Sequence, residues 1–185
     1  MAKTLIVYFS KYGTTKEYAE WIAKELNGDI YSINEFKENI IKEYEIIIVG
    51  SGLYAGKVKG VDLLVKNYET LKNKKLVIFT CGLADYSKTE NMNSIYNRLK
   101  KEFPEKIIEG IKIFYLRGGI NYKKLNLKHK IMMGLLKRMV MKKGLHKVDE
   151  EDKMFVETYG KTLYFTDKNN IAELLEYCKQ KYCNH

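Results

Sequence analysis

Apolar residues along the chain gather into short runs separated by stretches with helical spacing. Five runs have strand length: "KTLIVYF" (3–9), "DIYSI" (29–33), "EIIIVG" (45–50), "KLVIFTCG" (75–82) and "IKIFYLRG" (111–118). They are nearly continuous rather than alternating, as in strands covered on both faces. Between them Tyr18, Ala19, Ile22 and Leu26 recur at helical spacing ahead of Gly28, which is expected to stop that helix. Leu63, Leu64, Tyr68 and Leu71 repeat the pattern, and so do Ile95, Leu99 and Phe103. Strand and helix in alternation predict an α/β fold built on a doubly wound parallel sheet. Ligands of such sheets bind beyond the carboxyl ends of the strands, so a site is expected just after the first, third and fourth runs.

One connection is out of proportion. From Arg117 to Lys147, 31 residues intervene where about 2 to 6 are usual in such units. We read this as an insert, 117–147, in a single domain spanning 1–185. On a helical wheel Ile131, Leu135 and Met139 line up with Met132, Leu136 and Val140, while Lys130, Lys137 and Arg138 lie opposite. Two readings follow. The helix packs on the sheet edge with a solvated basic face, or it offers an adaptable apolar surface rich in methionine (Met132, Met133, Met139 and Met141). Such a surface could cover a large substrate or rest on an anionic membrane.

Charge sharpens the picture. The insert carries ten of the 33 Lys and Arg and none of the 23 Asp and Glu, which leaves 23 of each elsewhere, so the whole formal charge of +10 sits in this segment. A basic segment raises nucleic acid as a partner, but Tyr122 is its one aromatic for base stacking, and nucleic acid is disfavoured. The length of 185 residues, 45% apolar with one proline, suits one compact core. Cys81, Cys178 and Cys183 fit neither a disulfide framework nor a CxxC pair and are read as reduced thiols. The start "MAKTLIVYFS" passes from one Lys through a short apolar run into polar residues, so neither a signal peptide nor a span is expected there, and the location expected is cytoplasmic. His129 and His146 have no third ligand nearby and read as surface residues, so no metal is expected.

The stretch "IVYFSKYGTTKEYAEWIAKEL" (6–26) carries the candidate chemistry, because a buried strand runs into hydroxyls and glycine just before a helix. Neither GxxxxGK[ST] nor GxGxxG is present, which counts against ATP and dinucleotides. A loop at a helix amino terminus, with unpaired N–H groups and three hydroxyls, suits a phosphate monoester without a lysine. The plain alternative is that Thr14 or Thr15 only caps the helix, with Glu17 completing a capping box.

Ile6, Val7, Tyr8, Ser10, Gly13, Thr15, Ala19 and Ile22 stand at the spacing of the flavodoxin signature, a strand followed by S/T-x-x-G-x-T and a helix. The chain therefore resembles the flavodoxins. That resemblance implies a flavodoxin-like five-stranded parallel sheet of order 2-1-3-4-5 and FMN as cofactor. It implies a phosphate cradle of Ser10, Lys11, Tyr12, Gly13, Thr14 and Thr15. Further cofactor contacts are implied at Ser51, Gly52, Leu53, Tyr54, Ala55 and Gly56 after the third strand and at Thr80, Cys81, Gly82, Leu83 and Asp85 after the fourth, with Gly118 and Gly119 after the fifth. Glycines let backbone approach a planar ring, and Tyr54 could cover one ring face.

Beyond that core, "RGGINYKK", the basic insert and "LYFTD" before a closing helix resemble the flavodoxin-domain protoporphyrinogen IX dehydrogenases, which pass electrons to quinones. Electron-carrier flavodoxins are acidic, whereas this chain is basic. The narrower resemblance implies porphyrinogen oxidation by hydride transfer to the flavin, a quinone acceptor, no catalytic acid or base from the protein, and peripheral contact with the inner face of an anionic membrane through 117–147. Asp85, Tyr86 and Tyr122 are the polar residues expected to border the ring. Two alternatives stand beside it: an FMN electron-transfer protein or quinone reductase without porphyrin specificity, and a partner-binding module that has lost the flavin.

Overall fold

The structure, a computed structural model, describes residues 2–54, 57–142 and 155–180. Each predicted run becomes a strand: β1 (Thr4–Phe9), β2 (Asp29–Ser32), β3 (Ile46–Tyr54), β5 (Lys75–Gly82) and β6 (Ile111–Arg117). They pair in parallel in the order β2-β1-β3-β5-β6, which is 2-1-3-4-5 for the five expected strands and is the flavodoxin fold. The two-residue β4 (Lys57–Val58), which periodicity missed, folds back antiparallel on the end of β3.

Both faces are covered, as the continuous apolar runs require. Leu5 and Val7 of β1, Ile47 and Val49 of β3, and Leu76 and Ile78 of β5 face one core. That core is closed by α2 (Val61–Lys66), α3 (Tyr68–Leu71), α4 (Thr89–Glu102) and α5 (Glu105–Ile108). Ile6, Ile48, Val77 and Phe79 face the other, under α1 (Thr14–Leu26) and a carboxyl-terminal helix, Ala172–Lys179.

Two helix expectations are corrected. The left-handed residue ending α1 is Asn27, at φ 48°, one position before the expected Gly28; asparagine tolerates this region because its short polar side chain can bond locally. The stretch with Leu63, Leu64, Tyr68 and Leu71 is two short helices, α2 and α3, broken at Asn67. There Asn67 Nδ2 donates to the Leu63 carbonyl at 2.9 Å and to the Glu38 carboxylate at 3.2 Å, a side-chain alternative to the helical ladder.

By its contacts the chain divides into two compact units, one of Met1–Gly118 with Thr166–His185 and one of Gly119–Phe165. The second unit takes up the expected insert only from Gly119 on, since Arg117 ends β6 and stays with Gly118 in the first unit, and it reaches further along the chain, because β7 (Gly119–Asn121) pairs antiparallel with β8 (Thr162–Tyr164). Within it lies α6 (Leu127–Lys142). Residues 143–147 of the expected insert, with His146, lie outside the described residues, as does Cys183. No helix among the described residues is long and apolar enough to cross a membrane.

Candidate functional site

The register of the sheet decides what meets at its carboxyl edge. Phe9 of β1, Ser51 of β3, Thr80 of β5 and Tyr115 of β6 form one row, and Gly52, Cys81 and Leu116 form the next. The loops after β1, β3 and β5 thus open at one edge, on either side of the switch point between β1 and β3.

The loop after β1 is built to expose backbone donors. Gly13 sits at φ 103°, a conformation that side chains rarely adopt, and turns the chain into α1. Ser10 Oγ accepts the Gly13 N–H at 3.1 Å and closes the turn, and the first helical bond runs from the Glu17 N–H to the Gly13 carbonyl at 3.0 Å. The helix therefore starts at Thr14, and no side chain caps it. The capping-box alternative fails because Thr14 is already inside the helix. The amino terminus of this 13-residue helix is left to bind something negative, as the first-turn N–H groups have no intrahelical partners. Thr14 is half-buried beside it, Thr15 is buried and Lys11 is exposed, its Nζ 5.9 Å from the centre of the Tyr12 ring.

Gly118, at the end of β6, closes the far side. Its N–H donates to the Gly82 carbonyl at 2.7 Å, and a Cβ there would lie 2.5 Å from Cys81 Sγ and 3.2 Å from Thr14 Oγ1. Cys81 Sγ donates to Thr14 Oγ1 at 3.5 Å. Three expected residues from three loops thus touch. Burial pushes the Cys81 thiol up to about 11, against weaker lowering by Thr14 and Thr15, so it stays a neutral thiol at physiological pH.

Other expected residues have structural duties. Ser51 is fully buried; its Oγ donates to the Gly52 carbonyl and accepts the Lys59 N–H, both at 2.9 Å, which fastens the hairpin of β3 and β4. Asp85 Oδ1 accepts from the Ser87 N–H at 3.0 Å and the Ser87 hydroxyl at 2.8 Å, and these bonds hold its carboxyl below the usual range. Leu83 offers its carbonyl to Arg117 Nε at 3.4 Å. Gly119 lies in the second unit, paired with Tyr164. Tyr122 is buried there against Tyr159, with ring centroids 5.0 Å apart. Ala55 and Gly56, with the side chains of Leu53 and Tyr54, lie outside the described residues.

Thr80 is fully buried, and its Oγ1 has no hydrogen-bond partner among the described residues. A buried hydroxyl left so is costly. Together with the uncapped helix, it fits a site that takes a polar ligand. Among the described residues no three His, Cys, Asp or Glu side chains stand close enough to hold a metal.

Periodicity alone missed Tyr18, which it took for one more core residue of α1. Its hydroxyl donates to the Arg117 carbonyl at 2.8 Å and accepts from the Asp167 N–H and Asn170 Nδ2, each at 3.2 Å. The end of β6 and the return of the chain at 167 are thereby tied to α1, the helix that follows the first strand. Burial raises the Tyr18 hydroxyl above its ordinary value, so it remains a donor. A polar tip on an apolar stripe was its one signal in the sequence.

A family model of the flavodoxin domain matches residues 5–149. The chain belongs to the flavodoxin-domain family. A relative from Methanocaldococcus jannaschii, itself uncharacterized, is 35% identical over 132 residues, 64% of this chain and 85% of its own. A flavodoxin from Maridesulfovibrio salexigens is 28% identical over 99 residues, 47% of this chain and 68% of its own. Among solved structures, oxidised flavodoxin 2 from Bacillus cereus is similar at 21% identity and a TM-score of 0.43, over 63% of this chain and 84% of its own. A WrbA-like flavodoxin from Agrobacterium tumefaciens is similar at 16% identity and a TM-score of 0.45, over 97% and 100%. Family membership makes FMN the cofactor and flavin-based electron transfer or oxidoreduction the activity class.

Proposed function

We propose that this chain is an FMN-dependent electron-transfer flavoprotein whose phosphate loop is Ser10 to Thr15. The observation that carries the proposal is the uncapped amino terminus of α1 behind Gly13, flanked by Ser10 and Thr14. FMN, when bound, supplies the redox chemistry. The chain does the rest. The N–H groups of the first turn of α1 and the hydroxyls of Ser10 and Thr14 hold a phosphate. The backbones at Gly52 and Gly82, at the carboxyl ends of β3 and β5, would border the ring. The neutral Cys81 thiol holds Thr14 in place and stays out of the redox step. Apoprotein titrated with FMN and with riboflavin should bind FMN at least a hundredfold more tightly, since each charge-assisted hydrogen bond to the phosphate is worth about 1.5–3 kcal/mol. Equal affinities would overturn the assignment.

Porphyrinogen oxidation with a quinone acceptor is the second reading, and the length and charge of the segment after β6 favour it, because a bare electron carrier needs no such unit. An anaerobic assay of the flavin-loaded protein with protoporphyrinogen and a menaquinone analogue separates the two. Quinone reduction without porphyrinogen turnover leaves the first reading alone.

A further inference from the structure

Of the five parallel strands, β6 alone ends at the carboxyl edge on a charged residue, Arg117; the others end on Phe9, Ser32, Tyr54 and Gly82. Arg117 is half-buried, and its backbone is pinned. Its carbonyl accepts the Tyr18 hydroxyl at 2.8 Å, and it stands opposite Gly82 in the register of β5 and β6. The next N–H, that of Gly118, donates to the Gly82 carbonyl at 2.7 Å. From this anchor the side chain crosses to the loop after β5, where Nε donates to the Leu83 carbonyl at 3.4 Å.

That loop is held in two halves. The second half closes on itself: Asp85 Oδ1 accepts both the N–H and the hydroxyl of Ser87, and the Asp85 carbonyl accepts Asn91 Nδ2 at 2.8 Å. The first half, Gly82 and Leu83, is held from the end of β6, through Gly118 and Arg117. Water satisfies a surface carbonyl as well, so the bond to Leu83 is no reason by itself for a guanidinium. Charge supplies one. Asp85 is the one acid in 82–88, and beyond its two Ser87 bonds the charges of Arg117 and Lys88 add to holding its carboxyl below the usual range. The backbone of 82–83 thus has a fixed cation on its β6 side.

We propose that Arg117 is a positioning residue of the cofactor site, whose guanidinium holds the first half of the loop after β5 and whose charge raises the midpoint potential of the bound flavin. The inference rests on the FMN reading above, and every residue it uses belongs to the first unit. A cation favours whichever form has gained electrons. At an effective dielectric of about 20, a unit charge within about 10 Å of a reducible group changes its reduction equilibrium by about tenfold.

Substitution separates the two roles. Arg117→Lys keeps the charge and loses the planar fork, whereas Arg117→Gln and Arg117→Met lose the charge, so a folding defect in one neutral variant leaves the other to be read. In FMN-loaded protein the two-electron midpoint potential, measured against a redox dye, should fall about tenfold in the neutral variants, which is about 30 mV. In Arg117→Lys it should fall by less than half as much. In apoprotein, hydrogen exchange across 83–88 should quicken in all three variants, and the Asp85 carboxyl, followed by NMR, should titrate at higher pH in the neutral ones. Neutral variants with FMN bound and the potential unmoved would overturn the proposal and leave the FMN reading standing. So would an unmoved Asp85 titration, or a fall in Arg117→Lys as large as in the neutral variants, which would mean that shape and not charge sets the potential. An unmodified protein that takes up no FMN would overturn the FMN reading itself, and this inference with it.

Discussion

At the scale of single residues the site depends on what is missing. Gly118 has no side chain, and that absence lets the end of β6 lie against Cys81 and Thr14. Gly118→Ala places a Cβ within 2.5 Å of Cys81 Sγ, so one of the three loops must move. The expected loss is about 1–3 kcal/mol in urea denaturation, with weaker FMN binding. Cys81→Ala in the same chain should return part of that loss, and a double-mutant cycle measures the coupling; strict additivity would mean that the two do not press on each other. The buried thiols also set an alkaline limit. Cys81 and Cys178 are both pushed up to about 11 by burial from an ordinary 9.0. Their contribution is fully present while both states hold the thiol protonated, below about pH 9. It is lost as pH rises toward about 11, where the unfolded thiol ionises and the folded one does not. Stability should fall over that window by about 2 kcal/mol per thiol, and Cys81→Ala with Cys178→Ala should flatten that part of the profile.

At the scale of elements, the Tyr18 hydroxyl joins α1, the end of β6 and the segment from Asp167 to Asn170 through three hydrogen bonds. Tyr18→Phe keeps the ring in its core and deletes the one atom all three partners share. It should cost about 2 kcal/mol, because the Arg117 carbonyl, the Asp167 N–H and the Asn170 amide all lose their bond. Hydrogen exchange at the Asp167 amide should quicken by more than at residues of β3, which would not happen if the ring alone mattered.

At the scale of the molecule, the second unit is an addition to a complete sheet. Both ends of the first unit at this junction bond one oxygen, at 2.8 Å for the Arg117 carbonyl and 3.2 Å for the Asp167 N–H, so the ends are neighbours. Replacing 119–165 by a short glycine-rich linker should leave a folded protein that still takes up FMN with near-normal affinity, read by flavin fluorescence quenching. Loss of FMN binding in a chain that remains folded by circular dichroism would mean that the second unit completes the cofactor site.

Five strands and the two-sided core were legible in the sequence, and the strand order in its resemblance to the flavodoxins. The period of the apolar residues reports local geometry, and S-x-x-G-x-T places hydroxyls at a helix start by spacing alone. Tertiary contacts decided the rest. Whether Ser51 and Asp85 face a ligand or fasten a turn depends on Lys59 and Ser87, whose backbone N–H groups are available only once the hairpin and loop have closed. The meeting of Cys81, Thr14 and Gly118 requires three strands in register. The apolar stripe of α6 could be read from its period, but its direction could not. A helical wheel has no inside until something occupies one face, and here Tyr159 does so.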